Sequence, residues 1–210
     1  MNIKKNIKAL PDRWASAEDF ATLFQYFWHK DFPIDTKSTG AKRIDWTIHI
    51  GIIVRSIGDL MGVVTRFERG GRKDALYRSV AGDEVALEWE WQGIKGQNEL
   101  AKLKAHNVWG RPEYNHDNLK YGVLITYVEI EYIEENLNTV SRNWQGAKWP
   151  LLLIIVTSQK AKDITARRSF SRLQMYLYDE TGNWKLIRDA PAVPWEVDCS
   201  RWQYYLERDN

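Results

Sequence analysis

Asp74, Glu88 and Glu90 stand within the segment RKDALYRSVAGDEVALEWEW, Arg72 to Trp91. Carboxylates held side by side suit one chemistry in particular, the binding of a hard divalent cation. Magnesium typically takes one or two protein carboxylates and completes its shell with waters and substrate phosphate oxygens. Side chains alternate along a β-strand, so Val85, Leu87, Trp89 and Trp91 share one face while Ala86, Glu88 and Glu90 share the other. A hairpin centred near Ala81 pairs position 74 with position 88, and opposed residues of an antiparallel pair point the same way. A slip of one residue would send Asp74 to the tryptophan face instead. Three converging acids repel one another until a cation or a proton relieves them. At a phosphodiester, such a cation polarises a phosphoryl oxygen and lowers the pKa of bound water. The plain alternative is a strand whose acidic face is simply solvated.

The elements that must position these residues are legible on either side. Ser16 followed by Glu18 and Asp19 reads as a helix start, and Phe20, Leu23, Phe24 and Phe27 recur at helical spacing, which predicts a helix from Ala17 to His29. Asp45 reads as the cap of a second helix. Its stripe is Trp46, Ile50, Ile53, Ile57 and Leu60, widened by Ile48, Ile52 and Met61. Three strands of an antiparallel meander follow, joined at Gly70-Gly71 and at Ala81-Gly82-Asp83. GQNELAKLKAH is a short amphipathic helix, and YGVLITYVEIEY is a strand apolar on both faces, as a central one should be. A polar helix from Ile133 to Asn143 leads to the buried strand WPLLLIIVTSQ, and strand, helix, strand in that order implies a parallel pair. Two edge strands around the Glu180 to Asn183 turn complete the chain.

Asp74, a hairpin, then Glu88-x-Glu90, set in the order helix, three strands, helix, strand, resembles the PD-(D/E)XK nuclease superfamily, the restriction-endonuclease-like fold. The resemblance covers residues 45–159. It implies an α/β fold: a central mixed sheet flanked by helices, with residues 1–41 as an N-terminal helical decoration and 160–210 as C-terminal strands on a single domain. It further implies a metal-dependent phosphodiesterase acting on nucleic acid, DNA before RNA, with Mg2+ or Mn2+ held by Asp74 and Glu88, to which the three-acid reading of the strands adds Glu90. The family's motif lysine is replaced here by Glu90, a departure from the usual pattern. Lys95, Lys102 and Lys104, around the next helix, are candidates to reach in from elsewhere, and Gln92 is a candidate to bind water or substrate. The alternative function is a catalytically inactive member of the same fold that binds nucleic acid or a protein. The literal Pro11-Asp12 precedes the first helix, with no strand pair around it, and is not the motif.

Phosphate contacts are expected from Lys95, Lys102, Lys160, Arg167 and Arg168, with Arg66, Arg69, Arg72, Lys73 and Arg78 flanking the acids and Lys162 and Arg172 in the later cluster. A net charge of +2 permits an anionic partner without demanding one. His29, His49, His106 and His116 share no zinc-protease spacing, His49 reads as a packing residue, and Cys199 has no nucleophile context. One cysteine excludes an internal disulfide framework, and no glycine-rich phosphate loop supports an ATP-driven enzyme. The longest apolar run, Leu151 to Val156, is too short to span a bilayer, and the N-terminus lacks a signal-peptide core, so a cytoplasmic protein without membrane attachment is expected. The 11 tryptophans are spread along the chain rather than clustered, which favours packing over a stacking platform. A third reading, a structural or interaction protein, uses WEW and PWEVDCSRWQYY as a dimer surface, and a homodimer is compatible with the nuclease reading too.

Overall fold

Ser16 begins the first helix, α1 (Ala17–Lys30): its hydroxyl accepts the N–H of Asp19 at 3.0 Å, taking one of the donors that a helix start leaves unpaired. The structure is a computed structural model, and it describes residues 16–33, 43–69, 73–91, 94, 98–104, 119–159 and 169–197. The other elements are α2 (Arg43–Leu60), β1 (Val64–Arg69), β2 (Lys73–Ser79), β3 (Gly82–Glu90), α3 (Asn98–Lys104), β4 (Tyr121–Glu129), α4 (Ile133–Trp144), β5 (Leu151–Gln159), β6 (Ser169–Tyr178) and β7 (Trp184–Pro191). The protein is α/β, with a seven-strand mixed sheet in the order β1 to β7 and four helices among the described residues.

Strands β3, β4 and β5 run parallel, and every other neighbouring pair is antiparallel. A parallel pair needs a crossover helix, and α3 and α4 supply the two that this sheet requires. Both pack on the same face, as two successive crossovers of one hand must when the strand order advances in one direction. That face is built from Leu76, Ala86, Leu124, Leu153 and Ile155 beneath Leu100, Leu103, Val140 and Trp144. The alternate residues, including Ala75, Leu87, Val123 and Ile154, point to the opposite face beneath α1 and α2. Because β5 is covered on both sides, its residues from Leu151 to Ser158 are all buried, which is why that strand reads as a continuous apolar run.

Several expectations need correction. Helix α2 begins at Arg43, so Asp45 lies in its first turn and acts on the helix dipole rather than as the cap. Trp46, Ile50, Ile53 and Ile57 are buried, but Ile48, Ile52 and Leu60 are exposed, because a helix lying on a sheet buries a stripe and not its full girth. Strand β6 is interior, paired to β5 and β7, and only β7 is an edge at that side. The chain before residue 42, set outside the 45–159 core in the sequence reading, sends Phe20, Phe24 and Trp28 of α1 into the same apolar layer as α2. The Trp28 indole N–H donates to the Ala192 carbonyl at 2.6 Å and fixes α1 to the far end of the sheet. The turn after β6 docks on α4 through Gly182, whose φ of 85° favours glycine and whose carbonyl accepts the Ser141 hydroxyl at 2.5 Å.

Candidate functional site

The register of the β2–β3 hairpin decides where Asp74 points. Its tip is the two-residue turn Val80-Ala81, with Ser79 opposite Gly82 and Arg78 opposite Asp83. Continued unchanged, that register would set Asp74 against Leu87 and turn it to the tryptophan face. A β-bulge at Glu84 adds one residue to β3, so Tyr77 lies opposite Val85 and Ala75 opposite Leu87. Past the bulge, position 74 falls across from 88. The ladder between β2 and β3 ends at Ala75 and Leu87, and beyond it the Asp74 side chain takes over the pairing: its Oδ2 accepts the N–H of Trp89 at 2.7 Å.

Asp74, Glu88, Glu90, Glu99 and Lys102 line one cavity of about 260 Å³ where β3 and β4 end, with Trp46, Trp91 and Tyr127 on its other side. Glu88 is buried, and its Oε2 accepts a hydrogen bond from Lys102 Nζ at 2.9 Å. Its Oε1 is also buried and has no hydrogen-bond partner among the described residues. Lys102 is held in position by the helix around it. Leu100 and Leu103 anchor α3 on the sheet, while Lys104 Nζ donates to the Asn143 and Gln145 carbonyls at 2.9 and 2.8 Å, at the end of α4. Of the candidate lysines, Lys102 therefore meets the acids and Lys104 is spent on a helix end. Lys95, Lys160, Arg167, Arg168, Arg72, Lys162 and Gln92 lie outside the described residues.

The electrostatics follow from unequal burial of the ion pair, whose side chains are 1% exposed for Glu88 and 34% for Lys102. Loss of hydration, with the Asp74 charge adding to it, pushes Glu88 up to about 7 despite the help of Lys102 and Lys73. Burial also pushes Asp74 up, as do the charges of Glu90 and Glu99, against the Trp89 N–H and Lys102. Burial lowers Lys102, but the hydrogen bond and charge of Glu88 and the charge of Asp74 outweigh it, so its ammonium is stabilised overall. Lys73 is fully buried, and that burial brings it down to about 8 although Glu88 and Asp83 oppose the shift. A lysine so enclosed does not grip phosphates at the surface, as the flanking-base reading supposed. Arg78 is committed to Asp83 at 2.6 Å, and Arg172 to Asp189 at 2.8 Å.

Glu90 lines the cavity and its charge reaches Asp74, but its Oε1 turns back to accept the N–H of Trp91 at 2.7 Å. Among the described residues no group of three or more His, Cys, Asp or Glu side chains is placed to hold a metal ion, while Asp74, Glu88 and Glu90 line one cavity with Lys102 beside Glu88. Two hard oxygen ligands, one of them a buried and unpartnered oxygen, still suit a magnesium-like ion that keeps several waters. Glu99 escaped the sequence reading, though its place three residues before Lys102 puts it on the same helix face. Tyr127 and Trp46 escaped it too, since a central-strand tyrosine and a core tryptophan carry no local sign of a pocket. No helix among the described residues is long and apolar enough to cross a membrane. Compared with family models and with curated proteins, the sequence matches none of them.

Proposed function

We propose that the protein is a divalent-metal-dependent phosphodiesterase of the restriction-endonuclease-like kind, acting on nucleic acid. The observation that carries this reading is Lys102 Nζ at 2.9 Å from Glu88, in a cavity shared with Asp74. An ammonium brought in from α3 stands beside the acid pair, where the resemblance calls for a strand lysine and the chain has Glu90. The element order supports the same reading: α2, the meander β1 to β3, α3, and then β4 parallel to β3.

Asp74 and Glu88 would hold Mg2+ or Mn2+. When bound, the ion supplies a Lewis acid for a phosphoryl oxygen and lowers the pKa of water. The chain's own residues do the rest. The Trp89 N–H orients Asp74, and Lys102 keeps Glu88 aimed and offers a proton-donating cation to charge that builds on phosphate oxygens. The ionised form of Glu88 would be favoured by a cation held there, a coupling general to metal sites.

Cleavage of single- and double-stranded DNA and RNA with Mg2+ or Mn2+ tests this, comparing wild type with Glu88→Ala and Lys102→Ala. We expect metal-dependent cutting that falls by about 10²-fold or more in each variant, the scale of losing one electrostatic stabiliser. Equal cutting by wild type and variants, or none by any of them, rejects the proposal. A second reading, an inactive binding module of the same fold, draws on two observations: Glu90 accepts the N–H of Trp91, and the described residues show no three-ligand group. Nucleic-acid binding without cutting under the same conditions is its signature.

A further inference from the structure

The aromatic side of the cavity has no part in holding a cation. The rings of Trp91 and Tyr127 lie 4.4 Å apart between centroids, and Trp46 stacks behind Trp91 at 6.4 Å with 30° between planes. Trp46 is fully buried, held edge-on by Phe170 at 4.7 Å, so the wall is rigid from behind. Trp91 and Tyr127 are mostly buried but line the cavity, unlike Trp28 and Trp144, which are enclosed completely. Tyr127 also carries a hydroxyl that is buried without a hydrogen-bond partner among the described residues, as Glu88 carries its Oε1. Acid, lysine and aromatic surfaces thus share one small space.

A nucleotide has the matching parts: a flat base with π-faces and polar edges, and a phosphate joined to it through the sugar. Stacking on aromatic side chains is tolerant of sequence because every base has a π-face. In a duplex those faces are covered by neighbouring bases, and only an unpaired or extruded base can present one. The cavity, about 260 Å³, is smaller than the roughly 300–1,000 Å³ of a drug-sized site, which leaves no room for a base pair. We infer that the substrate is single-stranded nucleic acid, with a base against Trp91 and Tyr127 and the adjoining phosphate at Asp74, Glu88 and Lys102. This rests on the phosphodiesterase reading for the role of the acids. The stacking side stands on its own geometry.

The test is equilibrium binding of labelled 12-nucleotide DNA and RNA single strands and of a blunt DNA duplex, in Ca2+ so that binding is read without turnover. Wild type should prefer either single strand to the duplex. Trp91→Leu should weaken single-strand binding by roughly 5- to 100-fold, the range for losing one base stack, while Trp91→Phe, which keeps a ring, stays within a few-fold of wild type. Duplex bound as tightly as single strand, or Trp91→Leu binding single strands like wild type, overturns the inference. Should Trp91→Leu fail to fold, the wild-type preference and Trp91→Phe still decide. Preference between the DNA and RNA strands tells which nucleic acid the site takes. Cutting of duplex with Mn2+ together with duplex-preferring binding would sink this inference and leave the nuclease reading intact, whereas ring-dependent single-strand binding without cutting would do the reverse.

Discussion

Glu88 is the side chain that folding treats worst. It is buried with one oxygen unpartnered and the Asp74 charge nearby, and its pKa is raised from 4.5 to about 7. A carboxyl whose folded pKa lies above its unfolded one favours the folded state most when both are protonated, below pH 4.5. That advantage is lost as the pH climbs through about 7, by roughly 3 kcal/mol for a shift of this size. Glu88→Gln removes the titration, and Lys102, a third exposed, can rehydrate its freed charge. We therefore expect the variant to be more stable than wild type at pH 8 by about 1–2 kcal/mol and little different at pH 4.5, in urea denaturation followed at both values. A wild type that is steadily more stable relative to Glu88→Gln as pH rises would contradict the burial of an unrelieved acid. Sites that destabilise the fold they sit in are common where function needs the strained group.

At the scale of elements, the approach of α2 to the sheet and the bulge in β3 set the site. Gly58 lies where α2 crosses β1 and β2, and the Tyr77 hydroxyl donates to the Val54 carbonyl at 2.5 Å just beside it. A Cβ at position 58 would collide with Thr65 Oγ1 and crowd the Tyr77 ring. Alanine usually stabilises a helix relative to glycine, but here Gly58→Ala should destabilise the protein by about 1–3 kcal/mol through overpacking, measured as a lower urea midpoint with unchanged slope. An increase in stability would show that the helix has room to lift. The bulge at Glu84 was not legible, because its only local trace is a turn one residue shorter than expected. Which of the residues from Val85 to Trp91 share a face was legible, since strand alternation fixes it whether or not both faces are covered.

Over the whole molecule, stability is unevenly spread. The parallel centre, β3 to β5, is covered by helices on both faces, whereas β1 and β7 are edges that leave Val64, Trp184 and Leu186 exposed. Amides of Leu124, Ile125, Leu153 and Ile154 should therefore exchange with solvent only through global unfolding, and those of β1 and β7 through local opening, as hydrogen exchange can resolve residue by residue. Faster exchange in β5 than in β7 would mean that the two-sided burial does not control the order of opening.

Much of this architecture was written in local pattern. Period 3.6 in Phe20 to Trp28 and in Trp46 to Ile57, alternation in β3, apolar residues on both faces of β4 and the unbroken apolar run of β5 each follow from how one element meets the layers beside it, which neighbouring residues alone encode. The chain by itself also singled out Asp74, Glu88 and Glu90 as the acids to watch. The tertiary structure alone decided that Lys102 and not Lys104 reaches them, that Glu90 folds back onto its own strand, and that Trp46 and Tyr127 close the other side of the cavity. Those outcomes depend on how α3 is tied to α4, on a one-residue bulge, and on side chains from α2 and β4 that lie far from the motif in sequence. No periodicity within a single segment carries contacts of that range.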